Sequence, residues 1–140
     1  RYQKRISGPL LDRIDLHVEV PALSPSEMSV PAPGEANARI AARVARAREL
    51  QADRLGQLGE PDLRTNAEVE GELLDRIATP DPAGRELLLR ATERMHLTAR
   101  GYHRVLRVAR TIADLDGAAR ISRGHIAEAL SFRRIQPDRR

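Results

Sequence analysis

Residues 98–115 read TARGYHRVLRVARTIADL, and the way this stretch folds decides the rest. At about 100° per residue, Val105, Val108, Ala109 and Ile112 fall on one side of a helix, and Arg100, Arg104 and Arg107 fall within a narrow arc on the other. Thr98 suits the N-cap, because its hydroxyl can accept from a backbone N–H that has no partner inside the helix. Asp116-Gly117 ends the run, since glycine turns left-handed past a helix end at little cost. The stretch therefore predicts a helix with an apolar face for a core and an arginine row directed elsewhere. What that row meets is the question of function.

The neighbours of this helix read the same way. Downstream, Ser122 caps a last helix that offers Ile126, Ala129, Leu130 and Phe132 to the core, and residues 136–140 form a frayed tail. Upstream, Asp81-Pro82 fits the cap and first-turn positions of a helix running to about Met95, with Leu87, Leu88, Ala91 and Met95 inward. Val69, Leu73, Leu74 and Ile77 predict a short helix over 68–77, after a loop at 62–67 in which Asn66 could cap. Residues 35–55 predict a long helix with Ile40, Val44, Ala47 and Leu50 or Gln51 inward. Its outer face carries Arg39, Arg43, Arg46 and Arg54, and Gly56 with Gly59-Glu60-Pro61 closes it.

Residues 1–21 differ from everything that follows. Ile14, Leu16, Val18 and Val20 alternate with Asp15, His17 and Glu19, the period of a half-buried strand, and Pro21 ends it. A lone strand is not stable. Its sheet is expected upstream, and roughly the first 30 residues are expected to be poorly ordered here. Residues 22–34 (ALSPSEMSVPAPG) are a Pro- and Ser-rich linker without periodicity. The expected fold is thus an all-α bundle of four or five helices at 35–135. A linker joins it to the terminal strand of an α/β core at 1–21. The first residue is Arg rather than Met and the pattern starts midway, so a piece of a longer protein is expected.

Composition narrows the chemistry. Without cysteine there is neither a disulfide nor a thiolate metal site. No apolar run approaches the roughly 20 residues that span a bilayer, and no signal peptide opens the chain, so a cytoplasmic protein is expected. The net charge is +4, and Lys4 is the only lysine. A basic balance fits nucleic acid or an acidic partner, but also an arginine-rich solvated surface. The 20 acids are interspersed with the arginines, and one Phe and two Tyr leave little for base stacking. A stand-alone nucleic-acid module is therefore weakly supported.

The chain has no GxxxxGK[ST] phosphate loop, no HExxH, no GxSxG and no CxxC. His17, His96, His103 and His125 lack ligand-like spacing, and no metal role is assigned to them. Asp114 and Asp116 stand at a helix end with no hydrophobic pocket to raise a pKa. What remains are arginines in distinctive settings. Arg13 stands where a turn meets a strand, which would fix its position. Arg100 stands in the first turn of a helix, near the positive end of its dipole, where an anion such as phosphate would be stabilising.

Taken together, these residues resemble the end of an AAA+ ATPase module. ISGPLLDRIDLHVEVP is similar to the family's last sheet strand and its lead-in. In the branch containing Mg-chelatase and the minichromosome-maintenance proteins, that segment carries a Ser/Asp-Arg-Phe/Ile-Asp motif, here Asp12-Arg13-Ile14-Asp15. TARGYHRVLRVARTIADL resembles the sensor-2 helix of the same branch. The wording is closer still to the Mg-chelatase-like subgroup linked to natural competence. That subgroup shares GPLLDRIDLHVEVP, an ARVxxARExQxxR helix, LxxRxYHRVLRVARTIADL and a closing IxxxHIxEALxxR helix, over nearly the whole chain. The linker SPSEMSVPAPGE is not diagnostic, and the ATP-binding loop and Walker B acid lie outside this sequence.

The resemblance implies that Arg13 is a catalytic arginine finger reaching a neighbouring subunit's ATP site. It implies that Arg100, with Arg104 beside it, contacts the γ-phosphate. Arg104 and Arg107 either line that face or form a salt-bridged surface. It further implies ATP and Mg2+ as cofactors of the parent, with none bound by this piece alone. The implied partners are neighbouring subunits of a homo-oligomeric ring, expected to be a hexamer, and DNA, with no membrane. Two alternatives stand beside a DNA-remodelling motor: a magnesium-chelatase subunit driving metal insertion into a porphyrin, and a helical interaction module with no part in ATP chemistry. Lacking a phosphate loop, the 140-residue chain should bind ATP only negligibly. A sub-millimolar dissociation constant in an NMR titration would contradict that expectation.

Overall fold

The structure is a computed structural model that describes residues 13–22, 24–29 and 34–133. Its helices are α1 (Asn37–Gln57), α2 (Gly71–Ile77), α3 (Pro82–Met95), α4 (Ala99–Leu115) and α5 (Arg123–Ser131). A single helical turn, Pro25–Met28, precedes them, and a 3-10 turn, Asn66–Glu68, separates α1 from α2. No helix among the described residues is long and apolar enough to cross a membrane.

Side chains set the helix starts. Thr98 Oγ1 accepts from the Gly101 amide at 3.0 Å, and Asp81 Oδ1 accepts from that of Gly84 at 2.6 Å, with Pro82 in the first turn. Ser122 Oγ accepts from the His125 amide at 3.4 Å, while His125 Nδ1 accepts from the Ser122 amide at 3.0 Å. Histidine here takes the place that Glu holds in the usual reciprocal cap. At the end of α4, Gly117 adopts φ +67°, and the Ala118 amide reaches back to the Ala113 carbonyl at 2.8 Å.

α4 is the centre. It packs against α1, α2, the 3-10 turn and α5, and α3 packs on α5. Val105, Leu106, Ala109, Ile112 and Ala113 are buried on it, against Leu55 of α1, Leu74 of α2, and Ile126 and Ala129 of α5. The Asp81 amide donates to the Ile121 carbonyl at 2.9 Å, tying the entries of α3 and α5 together. A Cβ on Gly84 would stand 3.2 Å from Pro80 Cβ and 3.3 Å from the Arg123 amide, so that close approach requires glycine.

The core also holds a polar cluster. The Asp114 carboxylate, only 2% exposed, accepts from Arg54 through both of its terminal nitrogens, from Asn66 Nδ2 at 2.8 Å and from Arg110 Nε at 3.1 Å. Asn66 Nδ2 also donates to Thr111 Oγ1 at 3.0 Å, and the Asn66 amide donates to Gln51 Oε1 at 3.1 Å. One carboxylate thereby joins α1, the 3-10 turn and α4. Asp114, placed by the sequence beside Asp116 at a helix end, is buried and is the hub of this contact.

The same cluster revises α1. Ile40, Val44 and Leu50 remain 38–40% exposed, whereas Ala47, Gln51 and Leu55 are buried. Only the C-terminal half of α1 lies over α4, and its inward stripe runs through Gln51 toward Leu55. Arg54, expected on the outer face, instead turns in to Asp114. Asn66 does not cap a helix either. Thr65 precedes the 3-10 turn, and its amide and hydroxyl both donate to Glu68 Oε2, holding the Glu68 carboxyl below its ordinary value.

No strand forms among the described residues, and the alternating side chains Ile14, Leu16, Val18 and Val20 are 38%, 48%, 66% and 86% exposed in turn. Residues 14–17 are nevertheless held. Arg133 Nη1 donates to the Ile14 carbonyl at 2.8 Å, Asp15 pairs with Arg104, and the His17 amide donates to the Phe132 carbonyl at 2.8 Å. The residues that follow α5 thus give partners to two backbone groups of this segment, the Ile14 carbonyl and the His17 amide. The expectations for residues 1–12 and for the tail at 136–140 lie outside the described residues.

Because Asp114 leaves two arginines facing each other when removed, Asp114→Ala should cost about 3–5 kcal/mol, a large part of the ~5–15 kcal/mol that stabilises a small domain. Asp116→Ala, at an exposed acid paired with His125 at 3.1 Å, should cost at most about 1 kcal/mol. Urea denaturation followed by circular dichroism compares the two. Equal midpoints would contradict the assignment of Asp114 as the hub.

Candidate functional site

The arginine row of α4 borders a cleft. Arg100, His103, Arg104 and Arg107 from α4, with Glu70, Gly71 and Leu74 from the start of α2, enclose about 330 Å³. The positions follow helical spacing, since residues three and four apart stack on one face. The row that the sequence predicts is therefore brought to one surface, and α2 supplies the facing wall.

The three arginines differ in what holds them. Arg100 is exposed in the first turn of α4. Arg104, its side chain 21% exposed, pairs with Asp15. Arg107, 12% exposed, donates through Nη2 to the Val69 carbonyl at 2.8 Å, and Glu70 stands 3.9 Å away. Its Nε is buried with no hydrogen-bond partner among the described residues. A buried N–H left unbonded is costly, and an anion in the cleft is one way to satisfy it.

Electrostatics favour the same ligand class. The cleft gathers three guanidinium groups and one carboxylate, and that of Glu70 is 85% exposed and screened by water. Arg100 adds its charge where the amides opening α4 already present positive dipole ends. Guanidinium groups match phosphate oxygens in shape, through paired N–H donors, better than an ammonium does. The cleft thus presents the charge and the donors that suit a phosphate or polyphosphate group. It offers no nucleophile, and no group of three or more His, Asp or Glu among the described residues could hold a metal ion.

The other arginine of α4, Arg110, has a different task. It is 2% exposed and donates to the carbonyls of Ala118 and Ala119, at 2.6 and 3.0 Å, as well as to Asp114. Burial pushes its guanidinium below its ordinary pKa, and the Asp114 charge opposes that. It is a structural cation.

Arg13 is exposed and does not line the cleft. It lies two residues before Asp15, so the ties at Ile14, Asp15 and His17 anchor the chain beside it. A Cβ on Gly101 would stand 3.2 Å from Arg133 Nη2; glycine there lets Arg133 cross the first turn of α4 toward the Ile14 carbonyl. Sequence reasoning missed Asp15, Arg133, Gln51 and Arg54 as partners. The one available signal was a polar residue at an inward helical position, as at Gln51.

Comparison with known proteins bears on this arrangement. Residues 34–133 match the family described as "Magnesium chelatase, subunit ChlI C-terminal", and residues 1–28 match "Magnesium chelatase, subunit ChlI". The chain is 37% identical over 134 residues to "Competence protein ComM" of Haemophilus influenzae, covering 95% of this chain and 25% of that protein. It is 44% identical over 133 residues to an uncharacterized protein of Mycobacterium tuberculosis, covering 95% and 26%. Over 140 residues it is 39% identical to "Uncharacterized protein YifB" of Escherichia coli, covering 96% and 26%. The chain thus spans about a quarter of the length of the curated relatives it matches.

Proposed function

The chain belongs to the magnesium-chelatase family, and from that premise we propose that it is the C-terminal lid of an AAA+ ATPase that couples ATP hydrolysis to DNA remodelling in competence or recombination. The observation that carries this reading is the cationic cleft on α4, above all the buried Arg107 Nε that no described group satisfies. The competence protein among its relatives supports the link to competence.

In this reading the cleft faces the triphosphate of ATP. Arg100, the most exposed of the row and the one at the helix start, contacts the γ-phosphate, and Arg104 lies beside it. Phosphoryl transfer needs positioning and charge neutralisation more than covalent help, so arginines suffice for the lid's share. Loss of the γ-phosphate removes the partner of Arg100 and lets the lid rotate. Arg13, on its anchored segment, is the finger that reaches a neighbouring subunit of a ring, a hexamer in this proposal. ATP and Mg2+ are held by parts of the longer protein outside this chain, and Mg2+ supplies further neutralisation of the phosphates. The family description also supports a second reading, a chelatase subunit that inserts magnesium into a porphyrin.

Steady-state ATP hydrolysis by the longer protein tests these roles. Arg13→Ala should lower kcat by about 10³-fold or more while leaving ATP affinity within about twofold. Mixing it with a phosphate-loop mutant should restore part of the activity, and no rescue would contradict action in trans. Arg100→Ala should lower kcat and abolish stimulation by single-stranded or forked DNA. Unchanged kinetics would make Arg100 a surface residue, and turnover indifferent to DNA would favour the chelatase reading.

A further inference from the structure

We infer that Asp15 is a displaceable counter-ion of Arg104, so that polyphosphate entering the α4 cleft loosens the segment that carries Arg13. The inference rests on the reading of that cleft as a phosphate site.

Arg104 lines the cationic cleft with Arg100, His103 and Arg107. Its partner Asp15 instead borders an apolar groove of about 310 Å³, with Leu16, Val108 and Phe132, and Arg107 is the arginine that lines both hollows. Asp15 is part of that groove's border and does not line the cleft. Its carboxylate therefore neutralises Arg104 without occupying the place an incoming anion would take.

The pair is built to exchange. The Asp15 side chain is 39% exposed, and an ion pair so open to water is weakly held. A triphosphate carries several charges and can engage Arg100, Arg104 and Arg107 together, whereas Asp15 offers one charge to one of them. The other two ties on this segment are hydrogen bonds between backbone carbonyls and their donors: Arg133 to the Ile14 carbonyl and the His17 amide to that of Phe132. Of the three, the Asp15–Arg104 pair is the one whose cation lines the cleft, so drawing Arg104 to phosphate acts on it directly. Asp15 is in this sense a positioning residue for Arg13, two residues away, and it links occupancy of the cleft to the placing of that arginine.

An NMR titration of the 140-residue chain with inorganic triphosphate tests the inference, carried to millimolar concentrations because a chain without a phosphate loop should bind no more tightly than that, and using wild type, Asp15→Asn, Asp15→Glu, Arg104→Ala and Arg100→Ala. Asp15→Asn should bind triphosphate about fivefold tighter than wild type, and Asp15→Glu, which keeps the charge, should stay near wild type. In wild type, triphosphate should shift the amides of residues 14–17, and Arg104→Ala should abolish that shift. Affinity unchanged by Asp15→Asn, with binding still weakened by Arg100→Ala, would overturn the exchange while leaving the phosphate cleft standing. Binding insensitive to Arg100→Ala, or no binding by any variant, would overturn both. A single-stranded oligothymidylate, with one charge per phosphate, should displace Asp15 less effectively than triphosphate. The opposite order would assign the cleft to nucleic-acid backbone and overturn the nucleotide form of the inference.

Discussion

The structure depends on one buried carboxylate. Asp114 gathers Arg54 from α1, Asn66 from the 3-10 turn and Arg110 from its own helix. Two guanidinium groups and one carboxylate leave a net positive charge. Arg110 is tolerated because the carbonyls of Ala118 and Ala119, freed by the left-handed turn at Gly117, accept its remaining donors. The end of α4, the glycine after it and the long helix α1 are therefore one problem solved together. Such a cluster specifies how α1 crosses α4 more sharply than apolar contact would, since a shifted helix would strand a buried charge.

Much of the fold was legible. The caps at Asp81, Thr98 and Ser122 and the stop at Gly117 carry local chemistry that reads directly from residue types, and the apolar face of α4 follows from its spacing. The polar core did not read. Helical spacing offered Gln51 as an inward position, but Arg54, Arg110 and Asp114 have the composition of a solvated surface, and only tertiary contact shows that they face inward. The same limit applies to residues 14–17. Their alternation marks a strand, but their partners, Arg104, Phe132 and Arg133, lie about 90–120 residues away, beyond any local rule. In the candidate site, the row of Arg100, Arg104 and Arg107 was legible as a row. That Arg104 is taken by Asp15 and that Arg107 Nε is buried without a partner were not.

One helix thus carries arginines in two kinds of setting. Arg110 faces a carboxylate and two carbonyls and is consumed by the fold. Arg100, Arg104 and Arg107 face a cleft whose one acid, Glu70, is exposed, and Arg104 takes its counter-ion, Asp15, from outside it. Identity of residue type says nothing about this division; the partners do. It also places two arginines of different proposed duty, Arg13 and Arg100, on parts of the chain joined through Asp15 and Arg104. A lid that senses phosphate and a segment that serves a neighbour would in this way share one mechanical connection.

The most direct test is a structure of the longer protein bound to Mg2+ and a non-hydrolysable ATP analogue. The account predicts the Arg100 guanidinium within about 3 Å of a γ-phosphate oxygen, at hydrogen-bond distance, with Arg107 Nε turned toward the same phosphates. An α4 row facing solvent or another protein surface while the nucleotide site is filled would contradict it.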